Sequence, residues 1–362
     1  MNRAPSQGAI LVLNAGSSSL KYALFGQDLA RIAGGVVEIG TGAGKDGCRH
    51  HREALDHVLA TLEGAGHPLH RLAAAAHRVV HGGCTLAAPA RITPAVMQAI
   101  RGAISLAPLH NPANLAGIEA LSALAPELPQ YASFDTAFHA TNPPEARTYA
   151  LPAEWRARGL CRYGFHGLSY AALVDELAAR GPLPRRLLAF HLGSGASACA
   201  ILEGRSVATT MGCSPLSGLV MATRAGDLDP ALVLWLAEEL GVAGARTLLN
   251  REAGLSGLSG ESGDMRVLLE SDSPAARLAV GHYTYWAARH GASLIAAMGG
   301  VEAIAFTGGI GENAKTVREA ILNRLGFAGV PEENVHVIAA REERRIAREA
   351  LSLMRKRAPQ PQ

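Results

Sequence analysis

Apolar positions along the chain fall into two rhythms. Short alternating or continuous apolar runs mark strands at Ile10–Leu13, Lys21–Phe25, Leu72–Val80, Tyr131–Phe134, Leu187–His191 and Ala303–Thr307. Recurrence at three and four residues marks helices, most clearly over Arg52–Glu63, where Leu55, Val58, Leu59 and Leu62 share one face. The same rhythm predicts helices over Pro94–Ser105, Asn114–Leu124, Asp229–Leu240 and Ala275–Met298, and a closing helix over Arg341–Arg355. Strands and helices alternate, so the chain reads as α/β. The prolines of TNPPEARTYALP, Thr141–Pro152, interrupt any regular element and mark the best crossing between two domains.

Three turns of small residues punctuate this pattern. ILVLNAGSSSLKYALF, Ile10–Phe25, is a β-hairpin whose turn adds hydroxyls and Lys21 to a backbone that an anion can approach closely. An ordinary tight hairpin is the plainer reading, and a phosphate seat the functional one. LVLNAGSSSLKYAL, Leu11–Leu24, aligns without gaps on LAFHLGSGASACAI, Leu188–Ile201, placing Gly16 on Gly193 and Asn14 on His191. Chance likeness and internal duplication both account for it; duplication predicts two related domains facing each other across a cleft. FTGGIGEN, Phe306–Asn313, lies between a strand and a helix, where backbone amides suit a further phosphate. GTGAGKDG, Gly40–Gly47, only imitates a P-loop: Ile39 stands where GxxxxGK[ST] needs its first glycine and Asp46 where it needs the hydroxyl.

Composition narrows the classes. With 362 residues, 48% hydrophobic and 18% charged, the chain has material for two cored domains. Lys+Arg 34 against Asp+Glu 31 is too balanced for nucleic acid or an anionic membrane as main partner. Cys48, Cys84, Cys161, Cys199 and Cys213 form no CxxC pair, which argues against a disulfide framework or zinc site and fits the cytoplasm. The start lacks a signal-peptide core, and no apolar run reaches the roughly 18 residues of a membrane span.

The motifs taken together resemble the acetate kinase family: LVLNAGSSSLKY, HRVVHGG (His77–Gly83), LAPLHNPAN (Leu106–Asn114), FDTAFH (Phe134–His139), YGFHGLSY (Tyr163–Tyr170), HLGSGAS (His191–Ser197), TRAGDLDP (Thr223–Pro230), GDMR (Gly263–Arg266) and FTGGIGEN. The resemblance is ordered and runs from Leu11 to about Arg348. It implies the actin, sugar kinase and heat-shock ATPase superfamily: two ribonuclease-H-like domains, an ATP cleft between them and a homodimer. The expected domains are 1–140, joined by the closing helix 345–362, and 141–344. The implied reaction is reversible, magnesium-dependent transfer of the ATP γ-phosphoryl group to acetate, giving acetyl phosphate and ADP. Propionate and butyrate are alternative substrates of the same family, and manganese an alternative ion.

Such a transfer is catalysed by positioning and charge stabilisation. By resemblance, Arg78 contacts the substrate and Arg224 stabilises the transition state, a guanidinium fork being able to grip planar carboxylate or phosphate oxygens. A surface salt bridge is the ordinary fate of an arginine. His166 carries over as a second stabiliser, with a core histidine bonded to a carbonyl as the plain alternative. Asp135 is the family's catalytic aspartate. Acetate is already ionised near neutrality and needs no base, so a role in holding magnesium-bound water or Arg78 is expected. The magnesium ligands fall on Asn14 and Glu342; Glu343 is the alternative, because AREE replaces the family's TNEE after a shortened segment.

ATP contacts are expected from Lys21, from His191, Leu192, Gly193, Ser194 and Gly195, from Asp264, Met265 and Arg266, and from Gly309, Ile310, Gly311, Glu312 and Asn313, with Asp264 toward adenosine. Val80, Leu109, Phe165 and Pro215 are expected around the acetate methyl, though each would serve equally as core. Ser194 departs from the family's HLGNG, replacing an amide by a hydroxyl. A non-catalytic nucleotide-binding relative is the contrasting class, since the superfamily also holds switches and filaments; Arg78, Asp135, His166 and Arg224 occurring together argue against it.

Overall fold

The computed structural model describes residues 8–16, 18–40 and 50–356. Ser17, Cys48, the glycine-rich turn from position 41 onward and the tail beyond position 356 lie outside the described residues. The chain divides into two compact units, residues 1–137 with 341–362, and residues 138–340. The divisions precede the positions suggested by the prolines and by the closing helix. Phe138 and His139 pack with Tyr170 of the second unit, and the segment from Arg341 joins the first.

Among the described residues the first unit has a sheet of six strands: β1 (Ala9–Ala15), β2 (Ser19–Phe25), β3 (Arg31–Glu38), β4 (Leu72–Val79), β5 (Ala90–Arg91) and β6 (Gln130–Phe134), in the order β3-β2-β1-β4-β6-β5. β1, β2 and β3 form an antiparallel meander, while β4 and β6 run parallel to β1. β1 reads AILVLNA and is buried almost throughout, as a strand covered on both faces must be. Helix His51–Gly64 buries Ala54, Leu55, Val58 and Leu62 against a core that includes Leu11, Leu13 and Leu24. The closing helix, Glu342–Arg355, buries Ile346, Ala347, Ala350 and Leu351 and packs on β1, β4 and β6. Its helical apolar stripe explains why the end of the chain belongs to the first unit.

The second unit holds β7 (Arg186–Leu192), β8 (Ala196–Leu202), β9 (Arg205–Thr209), β10 (Ala303–Thr307) and β11 (Val335–Val337), in the order β11-β10-β7-β8-β9. β7, β8 and β9 are again an antiparallel meander, and β10 and β11 again run parallel to its first strand. The two units therefore share one plan, a meander of three strands extended by parallel strands beside its first member. Helix Pro274–Met298 crosses this sheet; Ser273 caps it by accepting from Ala276 N at 3.0 Å, a proline occupies its first turn, and Gly299 ends it at φ 67. Helix Pro230–Thr247 outruns the expected Asp229–Leu240 by continuing through a kink at Gly241, whose φ of 68 suits glycine.

Candidate active site

In the first unit, side chains from distant motifs gather at the carboxyl ends of the parallel strands, the usual ligand-facing edge of such sheets. Asn14 ends β1 and lies opposite Lys21 of β2, so both project from one face of the hairpin. Arg78 comes near the end of β4, opposite Ser133 of β6, and Asp135 follows β6. Two asparagines of the LAPLHNPAN motif stitch this edge together. Asn114 Oδ1 accepts from Val80 N at 3.0 Å and its Nδ2 donates to Ala15 O at 2.8 Å, tying the end of β1 to the end of β4. Asn111 accepts from His81 N at 3.1 Å and donates to His81 O at 3.0 Å. No role for these asparagines was legible in the sequence; an Asn repeated at a helix start, HNPAN, is the only hint that two buried amides were wanted.

Arg78 is held as a fork. Its Nε donates to Asp135 Oδ1 at 3.1 Å and its Nη2 to Oδ2 at 2.7 Å, while Nη1 lies 3.8 Å from Glu342 Oε2. The Asp135 side chain is only 2% exposed, against 20% for Arg78 and 19% for Glu342. Burial would depress the guanidinium, but Asp135, Glu342 and Glu343 outweigh it and push Arg78 above its ordinary value. Burial pushes the Asp135 carboxyl up, with Arg78 pulling against it. Of the two candidate glutamates, Glu342 is the one within 4 Å of Arg78. Val80 is buried beside this cluster, and Leu109 is 38% exposed.

The second unit arranges its small-residue turns around two histidines. His166 sits at φ 59 as the residue before helix Gly167–Arg180, and its ring lies 4.3 Å from that of His191, centroid to centroid. Its Nδ1 is 2.9 Å from Ser197 Oγ, which is 2.6 Å from the Tyr170 hydroxyl; His191 Nδ1 is 2.8 Å from Ser169 Oγ. His139 supports the same loop: its Nε2 donates to Phe165 O at 2.9 Å, and its Nδ1 accepts from Ser206 Oγ at 2.8 Å. The backbone of Gly195 passes close to His166, since a Cβ there would stand 3.1 Å from Nε2. A Cβ on Gly193 would stand 3.8 Å from both Gly309 N and His191 Nε2, so the hairpin turn and the Gly308–Asn313 turn converge. Gly308, at φ 80, lies so close to Leu192 O that a Cβ would be 2.7 Å away.

Some expected ATP contacts have protein partners of their own. Glu312 Oε1 accepts from Gly308 N at 3.1 Å and from Ala340 N at 2.9 Å. Asn313 Nδ2 donates to Gly309 O at 2.8 Å. Asp264 caps helix Met265–Glu270 through Arg266 N and pairs with the Arg266 side chain at 2.6 Å. Arg224 differs. Its Nη1 meets Pro215 O at 3.1 Å and Met221 Sδ at 3.6 Å, with no carboxylate partner among the described residues, and burial lowers its pKa. Its loop is clamped by Asp227, which accepts from Gly218 N at 2.7 Å and donates its own N–H to Gly218 O at 3.0 Å.

A meander of three strands extended by parallel neighbours, present in both units and carrying small-residue turns, defines the actin, sugar kinase and heat-shock ATPase superfamily. The chain belongs to the Acetokinase family, whose model matches residues 9–353. An acetate kinase of Rhodopseudomonas palustris is 43% identical over 360 residues, covering 91% of this chain and 90% of the relative. The crystal structure of a propionate kinase from Francisella tularensis subsp. tularensis aligns at TM-score 0.88 and 33% identity, over 94% of this chain and 98% of that one. That of Porphyromonas gingivalis acetate kinase aligns at 0.85 and 33% identity, over 96% and 100%.

Proposed function

We propose that this chain is an acetate kinase, moving the γ-phosphoryl group of ATP to an acetate oxygen and back. The bond from the γ-phosphorus to the ADP oxygen breaks as that from phosphorus to the carboxylate oxygen forms, leaving ADP and acetyl phosphate. The observation that carries the reading is Arg224, a largely buried guanidinium whose protein partners are a carbonyl and a thioether rather than a carboxylate. A cation desolvated without an anion is suited to an anionic ligand. In this reading Arg224 and His166 stabilise charge on the phosphoryl oxygens, Arg78 receives the carboxylate, and Asp135 aims Arg78. The turns at Gly193–Gly195 and Gly308–Asn313 offer backbone amides to phosphate.

The first unit's residues fit a magnesium ion. Asn14 is half-buried and its amide makes no hydrogen bond to another described residue, while Glu342 presents a part-exposed carboxylate. Among the described residues no three His, Cys, Asp or Glu side chains are grouped to hold a metal, so Asn14 and Glu342 would bind an ion otherwise surrounded by phosphate and water. Bound there, it would neutralise charge between the β- and γ-phosphates.

Equal identity to a propionate kinase and to an acetate kinase of known structure supports propionate as a second substrate. No helix among the described residues is long and apolar enough to cross a membrane. A homodimer is supported by helix Pro230–Thr247, which buries only Ala245 and leaves Leu234, Trp235 and Val242 more than half exposed. Trapping acyl phosphate with hydroxylamine, in the presence of ATP, magnesium and acetate, propionate or butyrate, tests the activity. No hydroxamate from any of the three would sink it.

A further inference from the structure

The hydrogen bonds that join Tyr170, Ser197 and His166 Nδ1 are all satisfied by one arrangement of protons. Tyr170 is fully buried, and burial holds its phenol well above the ordinary range, so the hydroxyl keeps its hydrogen. A buried O–H needs an acceptor. Among the described residues the Tyr170 oxygen has two hydrogen-bond partners, the His191 backbone N–H, which donates to it, and Ser197 Oγ at 2.6 Å. Tyr170 must therefore donate to Ser197. Ser197, also fully buried, then has its own hydrogen to place, and its other partner is His166 Nδ1 at 2.9 Å. That nitrogen must accept, so the ring carries its hydrogen on Nε2.

The reverse order fails on a count of hydrogens. With a hydrogen on Nδ1, Ser197 would either donate to Tyr170 and strand the Tyr170 hydrogen, or accept from both neighbours and strand its own, in each case leaving one buried O–H without an acceptor. A penalty of that kind biases the tautomer by about tenfold or more. The imidazolium also carries a hydrogen on Nδ1 and strands one buried O–H in the same way, so the network opposes it as well. A second titratable ring, that of His191, faces His166, and its Nδ1 is engaged by Ser169 Oγ at 2.8 Å.

We infer that Tyr170 and Ser197 are positioning residues that fix His166 as a neutral imidazole with its hydrogen on Nε2. Nε2 lies beside the turn Gly193–Gly195, where a Cβ at position 195 would stand 3.1 Å from it. Donation to the moving phosphoryl rests on the proposed activity; the placement of the proton does not.

Long-range proton–nitrogen correlation spectra of the full-length protein labelled with 15N-histidine read each ring's tautomer, and the His166 signals are those lost in His166→Gln. The wild type is expected to show the Nε2–H form near neutral pH. Tyr170→Phe keeps the ring but frees Ser197 to donate or accept, so both tautomers should appear, as they should in Ser197→Ala. In acyl-phosphate assays kcat should fall about tenfold in either variant, part of what losing a whole charge-stabilising donor costs. The KM for ATP should stay within about twofold, and in a His166→Gln background the further loss should nearly vanish, as for residues acting through one another. An Nδ1–H or imidazolium ring in the wild type overturns the inference, as does a pure Nε2–H form in both variants. The wild-type spectrum decides even if a variant misfolds. A wild type that makes no acyl phosphate sinks the functional reading and leaves the spectra to decide this one.

Discussion

Asp135→Asn isolates what the buried carboxylate does for Arg78. Asparagine keeps the shape but offers one carbonyl acceptor, and turns an NH2 toward the second guanidinium N–H, donor against donor. The wild-type pair makes two charge-assisted bonds, at 3.1 and 2.7 Å, with Asp135 only 2% exposed. Removing one partner of a buried pair costs about 3–5 kcal/mol. Arg78 is partly exposed and keeps Glu342 at 3.8 Å, which lowers the expectation to about 2–4 kcal/mol. At about 2–4 °C per kcal/mol for a unit of this size, Tm should fall by roughly 5–15 °C. An unanchored Arg78 should also misplace the carboxylate, so kcat/KM for acetate should drop about a hundredfold, the usual scale for an error near 1 Å. Calorimetry with the hydroxamate assay measures both. Because acetate arrives ionised, the residual activity should keep the wild-type pH dependence. A Tm within about 1 °C together with kcat/KM for acetate within about twofold would refute the anchoring role; loss of an ionisation limb would point instead to proton transfer.

Arg224→Lys keeps a charge but not the planar fork, and should cut kcat by orders of magnitude with little change in KM for ATP; unchanged turnover would remove Arg224 from the reaction. Ser194 is exposed at the tip of the β7–β8 hairpin, so Ser194→Asn should fit and improve kcat/KM for ATP by about 1–2 kcal/mol, one hydrogen bond to a charged group. A folded but markedly slower variant would mean that the turn has adapted to serine. Burial holds His77 and His139, one in each unit, at about 4, against 6.5 for a free imidazole. Between those values the unfolded chain binds more protons, so stability should be whole above about pH 6.5 and fall toward pH 4, by about 3 kcal/mol per histidine. Urea midpoints across that window should fall less steeply for His77→Asn than for the wild type, and equal slopes would count against the assignment.

Periodicity alone was enough to read the helix His51–Gly64 and strands such as β4 and β10, because each has one consistent apolar face or is buried throughout. The motifs brought out Arg78, Asp135 and Glu342, which the fold assembles within one unit. What stayed hidden was the layer that holds these side chains and, in the second unit, the Arg224 loop and His166. Asn111, Asn114, Asp227 and Tyr170 act through backbone groups or hydroxyls whose positions exist only once strands are paired, and nothing in an isolated Asn or Tyr announces such a partner.

Ser197 shows how the hiding works. Aligned without gaps, the two hairpins equate Ser197 with Leu20, a buried core residue, so the serine looks like filler. In the first hairpin Ala15 pairs with Leu20, whereas in the second Leu192 pairs with Ala196, so the second turn is one residue shorter. A slip of one residue exchanges the faces of a strand. Ser197 consequently lies opposite His191, the place that Lys21 holds opposite Asn14 in the first hairpin. The shortened turn thus converts a core position into a site position, and brings the hydroxyl to His166 Nδ1 that a gapless reading would have left facing the hydrophobic interior.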